Sequence, residues 1–205
     1  MLKCEDISIK NKNNITLIDK LNFFIKESEI FTLTGPSGVG KSTLLKYICG
    51  IRESNFFYSG RILIDNNIIN EVPTNLRRVG MIFQNDLLFP HMNVIENILF
   101  ATPSHKKKNF EDAANLLNQL NLEYLSTKKI NTLSGGEYSR VCLARIMMNE
   151  PKVLLVDEPF SNLDKKTKAL TRDFFYNTIS NLNCATLIVT HDMEDIYSYD
   201  KIIKL

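Results

Sequence analysis

Apolar positions recur along this chain in two rhythms, and the switches between them mark its elements. Residues Leu2 to Ile9 alternate loosely between apolar and polar. The polar turn Asn11-Lys12-Asn13-Asn14 interrupts them, and Ile15 to Ile25 (ITLIDKLNFFI) resume a strand-like pattern. This pair predicts an antiparallel lead-in layer, which Tyr58 to Asp65 extends. Four other runs, Ile30 to Thr34, Val79 to Phe83, Val153 to Val156 and Ala185 to Thr190, are almost continuously apolar, as strands covered on both faces must be. Lys201 to Leu205 is a candidate last strand.

Helical spacing appears in Lys41 to Cys49, closed by Gly50, in Val94 to Ala101 and in Phe110 to Leu122 (Ala113, Leu116, Leu117, Leu120). It returns after Ser134, with Val141, Cys142, Ala144, Ile146 and Met147 ahead of Pro151, and in Lys166 to Leu182. Pro103 and Lys106-Lys107-Lys108 mark the joint between two of these helices. The order predicts an α/β fold with a mixed or parallel central sheet, an antiparallel β lead-in layer and a small helical subdomain. That subdomain, approximately 91-150, is expected as an insertion in a single domain covering 1-205.

Composition narrows the function classes. A formal net charge of +2 with 23% charged residues is no basic excess, so nucleic acid is not an expected partner, and the short lysine run reads as a solvated loop. Cys4, Cys49, Cys142 and Cys184 are scattered, with no C-x-x-C pair and no histidine at ligand spacing. Reduced thiols in a cytosolic protein are expected, not structural zinc. The first residues, MLKCEDISIK, lack the apolar core of a signal peptide, and no apolar stretch approaches the roughly 20 residues that span a bilayer.

The sharpest chemical signal is Gly35-Pro36-Ser37-Gly38-Val39-Gly40-Lys41-Ser42-Thr43, which fits G-x-x-x-x-G-K-[ST] between an apolar run and a helix. Glycines let the backbone curl and aim N–H groups into one concavity, and the helix adds its positive end, so the segment is a nest for a polyanion. A glycine-rich turn before an ordinary helix would leave Lys41 and Ser42 unexplained. Leu133-Ser134-Gly135-Gly136-Glu137 opens another helix. Ser134 and Glu137 have capping-box spacing, yet two glycines leave the entrance bare, so it reads also as a second anion seat. Val153 to Val156 deliver Asp157-Glu158-Pro159 at a strand's carboxyl end, where α/β sheets place ligands; Gln84 and His191 also follow apolar runs.

These residues in this order, together with the hinge Ser161-Asn162-Leu163-Asp164, resemble the ATP-binding subunits of ABC transporters over nearly the whole chain, within the P-loop NTPase fold. The stretch Gln84 to Asn97, QNDLLFPHMNVIEN, is most similar to importer-type subunits. The resemblance implies an ATPase that binds ATP and Mg²⁺. Gly35 to Thr43 would cradle the phosphates, Lys41 would neutralise them, and Ser42, Asp157 and Gln84 would serve the metal. Glu158 would be the catalytic carboxylate, His191 the switch histidine and Gln84 the lid residue. Ser134, Gly135, Gly136 and Glu137 would bind the γ-phosphate of ATP held by a second copy, making a head-to-tail homodimer around two nucleotides. Glu137 stands where glutamine is commonest.

Implied partners are that second copy, an integral-membrane permease and an extracytoplasmic binding protein, with the chain peripheral to the cytoplasmic face of the membrane. Leu87, Leu88, Phe89 and Met92 would seat a short permease helix, or else tie the helical subdomain to the sheet. The chain runs only a short way past His191, so no appended regulatory domain is expected. One departure stands out. No aromatic residue precedes Phe23 and Phe24, so Ile9, Ile15 or a partner residue is expected against adenine. An export, lipoprotein-release or division-type ATPase would share all this chemistry. A soluble ABC protein usually has paired domains or a long coiled-coil insertion, and a regulator without turnover would not need Glu158 and His191.

Overall fold

Two kinds of strand build two kinds of sheet in the computed structural model, which describes residues 1–84, 88–103, 106–107, 109–161 and 163–205. In chain order the elements are β1 (Leu2–Asn11), β2 (Thr16–Ile25), β3 (Ile30–Thr34), α1 (Lys41–Cys49), β4 (Phe56–Ile64), β5 (Asn67–Ile68) and β6 (Val79–Ile82). Then follow α2 (Val94–Phe100), α3 (Phe110–Gln119), α4 (Gly135–Met148), β7 (Val153–Asp157), α5 (Lys165–Ser180), β8 (Ala185–Val189) and β9 (Ile202–Lys204). The chain divides into two units. One comprises Met1–Met81, Lys152–Glu158 and Ser180–Leu205, the other Ile82–Pro151 and Pro159–Ile179.

In the first unit the lead-in strands form an antiparallel sheet in the order β2-β1-β4-β5. The loose alternation of β1 has a physical cause. Leu2 and Cys4 are buried, then Ile7 and Ile9 are, so the inward phase shifts by one residue between them. The shift is a bulge, with the β1–β4 register broken between Glu5 and Ser8 and Asp6 at φ 51°. Gly60 faces the bulge at φ 95°, and a Cβ there would lie 2.6 Å from the carbonyl oxygen of Asp6, so only glycine fits.

The continuously apolar runs form the other sheet, ordered β6-β7-β8-β3-β9, in which β7–β8, β8–β3 and β3–β9 pair in parallel. Every residue of β7 and β8 is buried, as two-sided cover requires. One core joins inward residues of both sheets (Ile9, Ile62, Leu155, Leu187) with Leu44, Leu45 and Ile48 of α1. Each such aliphatic side chain contributes about 1.5–3 kcal/mol when fully buried. The far end of α1 is locked by Arg77, whose buried guanidinium donates to the carbonyl oxygens of Val72, Ile48 and Asn70 at 2.8, 3.0 and 2.7 Å. Nothing in the sequence pattern announces this clamp.

The second unit is mainly helical. Its core includes Val94 and Ile98 of α2, Ala113 and Leu117 of α3, and Val141 and Ala144 of α4. Leu88 is buried in the same core, which removes it from the expected permease-facing cluster; Leu87, Asn85 and Asp86 lie outside the described residues. Asn97 is fully buried and brackets Phe89, accepting from its N–H at 2.8 Å and donating to its carbonyl at 3.1 Å. Asn93 and Glu96 form a capping box on α2, a signal legible in Asn-x-x-Glu but not anticipated. Among the described residues, no helix is long and apolar enough to cross a membrane.

Candidate functional site

Most of the predicted site residues of the first unit converge where β3, β7 and β8 end. The chain leaves β3 at Thr34, turns through Gly35 to Gly40 and enters α1 at Lys41. Gly40 is the N-cap at φ 105°, and a Cβ there would crowd Leu17 at 3.3 Å, so the turn demands glycine at this point. No side chain caps α1 and no acidic residue occupies its first turn. Pro36, Ser37 and Gly38 form an exposed crest, while Val39 and Thr43 are half-buried beside it. Lys41 is 7% exposed, and its ammonium donates to the carbonyl oxygens of Gly35 (2.7 Å) and Pro36 (2.9 Å). The loop therefore holds a dehydrated cation against its own carbonyls.

In the first turn of α1, Ser42 hydrogen-bonds the carboxylate of Asp157, the last residue of β7. Burial pushes the Asp157 carboxyl above the usual range, the Ser42 bond opposes this, neighbouring Glu158 adds to the rise, and Lys46 and Lys41 counter it. A buried carboxylate with no ion pair among the described residues suits a cation. Glu158 is in the left-handed region at φ 48°, its N–H donating to Val189 at 3.0 Å. That conformation is costly for a residue with a long side chain and is held by the β7–β8 register, in which Asp157 pairs with Val189. The turn aims Glu158 at the residue after β8's continuation, so that His191 Nδ1 lies 3.0 Å from Glu158 Oε1. Lys41, Ser42, Asp157, Glu158 and His191 are thus linked from neighbour to neighbour. The strain at Glu158 has no signal in the sequence.

Ser134 to Glu137 belong to the second unit, as does Gln84, which is exposed. The entrance of α4 is not bare. Ser134 Oγ accepts from the Glu137 N–H at 3.3 Å, and Glu137 Oε2 accepts from both the N–H and the hydroxyl of Ser134, each at 2.8 Å. Lys128 Nζ lies 3.2 Å from Glu137 Oε1. The Ser134 bonds foremost, with Lys128, hold the Glu137 carboxyl below its usual range. The glycines have a packing reason: a Cβ on Gly135 would lie 3.0 Å from Leu163, and one on Gly136 equally close to Thr167 and Thr171. Asp164 caps α5, accepting from the amides of Lys166 and Thr167 at 3.2 Å, while Asn162 lies outside the described residues.

Of the residues expected against adenine, Ile9 is fully buried in the core and unavailable, whereas Ile15 is 58% exposed. Ile15 precedes Leu17, the neighbour of Gly40, by two residues. It lies just ahead of β2, which begins at Thr16. All four cysteines are buried and outside any disulfide, and burial pushes the Cys4 thiol well up, which keeps it inert.

Comparison with known proteins bears on this geometry. Residues 18–161 match the family model described as ABC transporter. The spermidine/putrescine import ATP-binding protein PotA of Mannheimia succiniciproducens is 37% identical over 200 residues, covering 96% of this chain and 53% of that protein. PotA of Clostridioides difficile is 37% identical over 198 residues, covering 95% and 56%. The chain therefore spans about half the length of these curated relatives. The dimeric structure of a post-hydrolysis state of the ATP-binding cassette MJ0796 bound to ADP and Pi superposes with TM-score 0.81 at 29% identity, over 100% of this chain and 94% of that one. With the phosphate-loop architecture and a family match over most of its length, the chain belongs to the ABC transporter family.

Proposed function

We propose that this chain is the ATP-hydrolysing subunit of an ABC importer. It would work as a head-to-tail homodimer with two ATP molecules between the copies and drive a membrane permease from the cytoplasmic face. The observation that carries the reading is the linked set Lys41, Ser42, Asp157, Glu158 and His191 beside a helix start that no side chain caps. Unmet amides at a helix start favour an anion, and a triphosphate supplies it.

Bound there, the phosphates would take Lys41 from the carbonyls of Gly35 and Pro36, exchanging two neutral acceptors for charged ones. Ser42 and Asp157 fit Mg²⁺. Among the described residues no group of three or more His, Cys, Asp or Glu could hold a metal, so the ion would complete its shell with water and phosphate oxygens, as Mg²⁺ commonly does. When bound, Mg²⁺ supplies charge neutralisation of the phosphates. Glu158 accepts a proton from the attacking water, and the His191 Nδ1–H holds that carboxylate in place. Gln84 follows the permease, and Ser134 to Glu137 meet the nucleotide of the second copy.

The relatives are named for spermidine/putrescine import, so polyamines are the first solutes to test. Recognition would rest with the permease and an extracytoplasmic binding protein. Phe89, held by Asn97 and lying under the Arg145 guanidinium at 4.9 Å, offers with Met92 the apolar part of the permease-facing surface. The test is association of a Glu158→Gln variant measured by sedimentation. ATP is expected to convert monomer to dimer while ADP does not, and a chain that stays monomeric at saturating ATP would overturn the proposal.

A further inference from the structure

The hydroxyl of Ser134 has a single proton, and in this structure that proton is given to Glu137 Oε2 at 2.8 Å, together with the Ser134 N–H at the same distance. A carboxylate therefore already fills the place at the α4 entrance where donors and the positive helix end converge. The capping box of α2 differs in the feature that matters. Asn93 uses its side-chain oxygen only to accept from Glu96 N–H at 3.0 Å, while Glu96 Oε2 takes the Asn93 N–H at 2.7 Å. Glu96 thus completes a cap without sequestering a hydroxyl donor.

We infer that Glu137 is an internal occupant of the α4 entrance, holding the Ser134 donors that an incoming phosphate of a second copy's nucleotide needs and so setting how tightly that nucleotide joins two chains. The inference rests on the proposed ATP-dependent dimer. Binding then requires Ser134 to exchange one anionic acceptor for another while the displaced carboxylate stays near the incoming charge. Two like charges brought together near a protein surface repel, less where water and salt screen them. Lys128 opposes that repulsion from 3.2 Å. A neutral glutamine at 137 keeps a carbonyl for the Ser134 N–H and removes the charge.

The experiment compares the full chain carrying Glu158→Gln alone with the same chain also carrying Glu137→Gln, Glu96→Gln or Lys128→Gln. ATP-driven dimer formation is followed by sedimentation and folding by thermal melting. Glu137→Gln is expected to tighten association about tenfold at low salt and less at about 0.5 M salt. Glu96→Gln, which alters an ordinary cap, should leave association unchanged, and Lys128→Gln should weaken it several-fold. Unchanged or weaker association in a folded Glu137→Gln chain overturns the inference. If that variant does not fold, unchanged association in Lys128→Gln does so instead. Equal tightening by Glu96→Gln also overturns it, since the effect would then belong to caps in general. If the Glu158→Gln parent itself never dimerises with ATP, the underlying dimer fails, and this inference falls with it.

Discussion

Two helix starts in this molecule, both opened by glycine-rich sequence, meet the same electrostatic demand in opposite ways. At α1 the cap position is Gly40, no side chain accepts from the first amides, and no acid stands in the first turn. At α4 the chain supplies Ser134 and Glu137 itself and backs the carboxylate with Lys128. The starts of α2 and α3 are capped as well, by Asn93 and Asn109, so among the α-helices whose caps are described α1 is the exception. Amides at a helix start must be met by something. Where the chain offers nothing, the place suits an external anion, and where it offers a carboxylate, an external anion would have to compete.

The contrast can be sharpened in steps, beginning with the largest effect. Glu158→Gln should lower phosphate release by about 10²–10⁴-fold in a steady-state ATPase assay while nucleotide binding persists, separating what the α1 entrance holds from what the neighbouring carboxylate does. Turnover within about tenfold of the parent would remove Glu158 from its role. Lys41→Ala deletes the buried cation over the α1 entrance and should weaken ATP binding by about a hundredfold in calorimetry, in keeping with a charged hydrogen bond lost from a buried site. An aliphatic contact from Ile15 in place of an aromatic stack would leave out on the order of 1 kcal/mol of base recognition. ATP and GTP should therefore be hydrolysed within about tenfold of each other, and a stronger preference would require another base contact.

Smaller effects test the self-capped start. Ser134→Ala should cost about 1 kcal/mol, seen as a melting point lower by about 2–4 °C, whereas Ser37→Ala on the exposed crest should change stability by less than about 0.5 kcal/mol. Acid should distinguish the two carboxylates by sign. The Glu137 carboxyl is held below its usual range, so its stabilisation is complete above the ordinary glutamate pKa and lost as pH falls through the folded value. Burial raises Asp157, so its ionised form is a liability at neutral pH that acid relieves. Melting curves at pH 7 and about 4 should show Asp157→Asn stabilising the nucleotide-free chain mainly at the higher pH. They should show Glu137→Gln destabilising it there, with the difference shrinking in acid.

Much of the architecture was legible because burial on two faces leaves a plain mark. Val153 to Val156 are apolar without a break and Ala185 to Val189 are apolar but for Thr186, and both are wholly buried strands of the parallel sheet. The phosphate-loop spacing was equally plain, since only glycine serves a cap at φ 105° pressed against Leu17. Other features had no local mark. The bulge at Asp6 reverses which residues of β1 face inward and thereby seals Ile9, an expected base contact, into the core. Leu88 read equally as a permease seat or as a tie for the helical subdomain, and only the fold buries it among α2, α3 and α4, because an apolar residue in a loop carries no sign of which neighbours will cover it. The sequence also shows a Ser134-Glu137 spacing without showing which partner receives the hydroxyl's proton.

Residue order alone determined the element sequence, the family and the identities of the chemical groups, because backbone hydrogen bonding, glycine conformations and apolar spacing act over a few neighbouring positions. Tertiary structure decided which of those groups meet. The parallel register of β7 and β8 forces Glu158 into a left-handed turn and brings it to His191, and the folded loop commits Lys41 to its own carbonyls. These are contacts between residues far apart in the chain or dependent on exact backbone direction. Their energies arise only once the strands are side by side, so no local pattern can encode them.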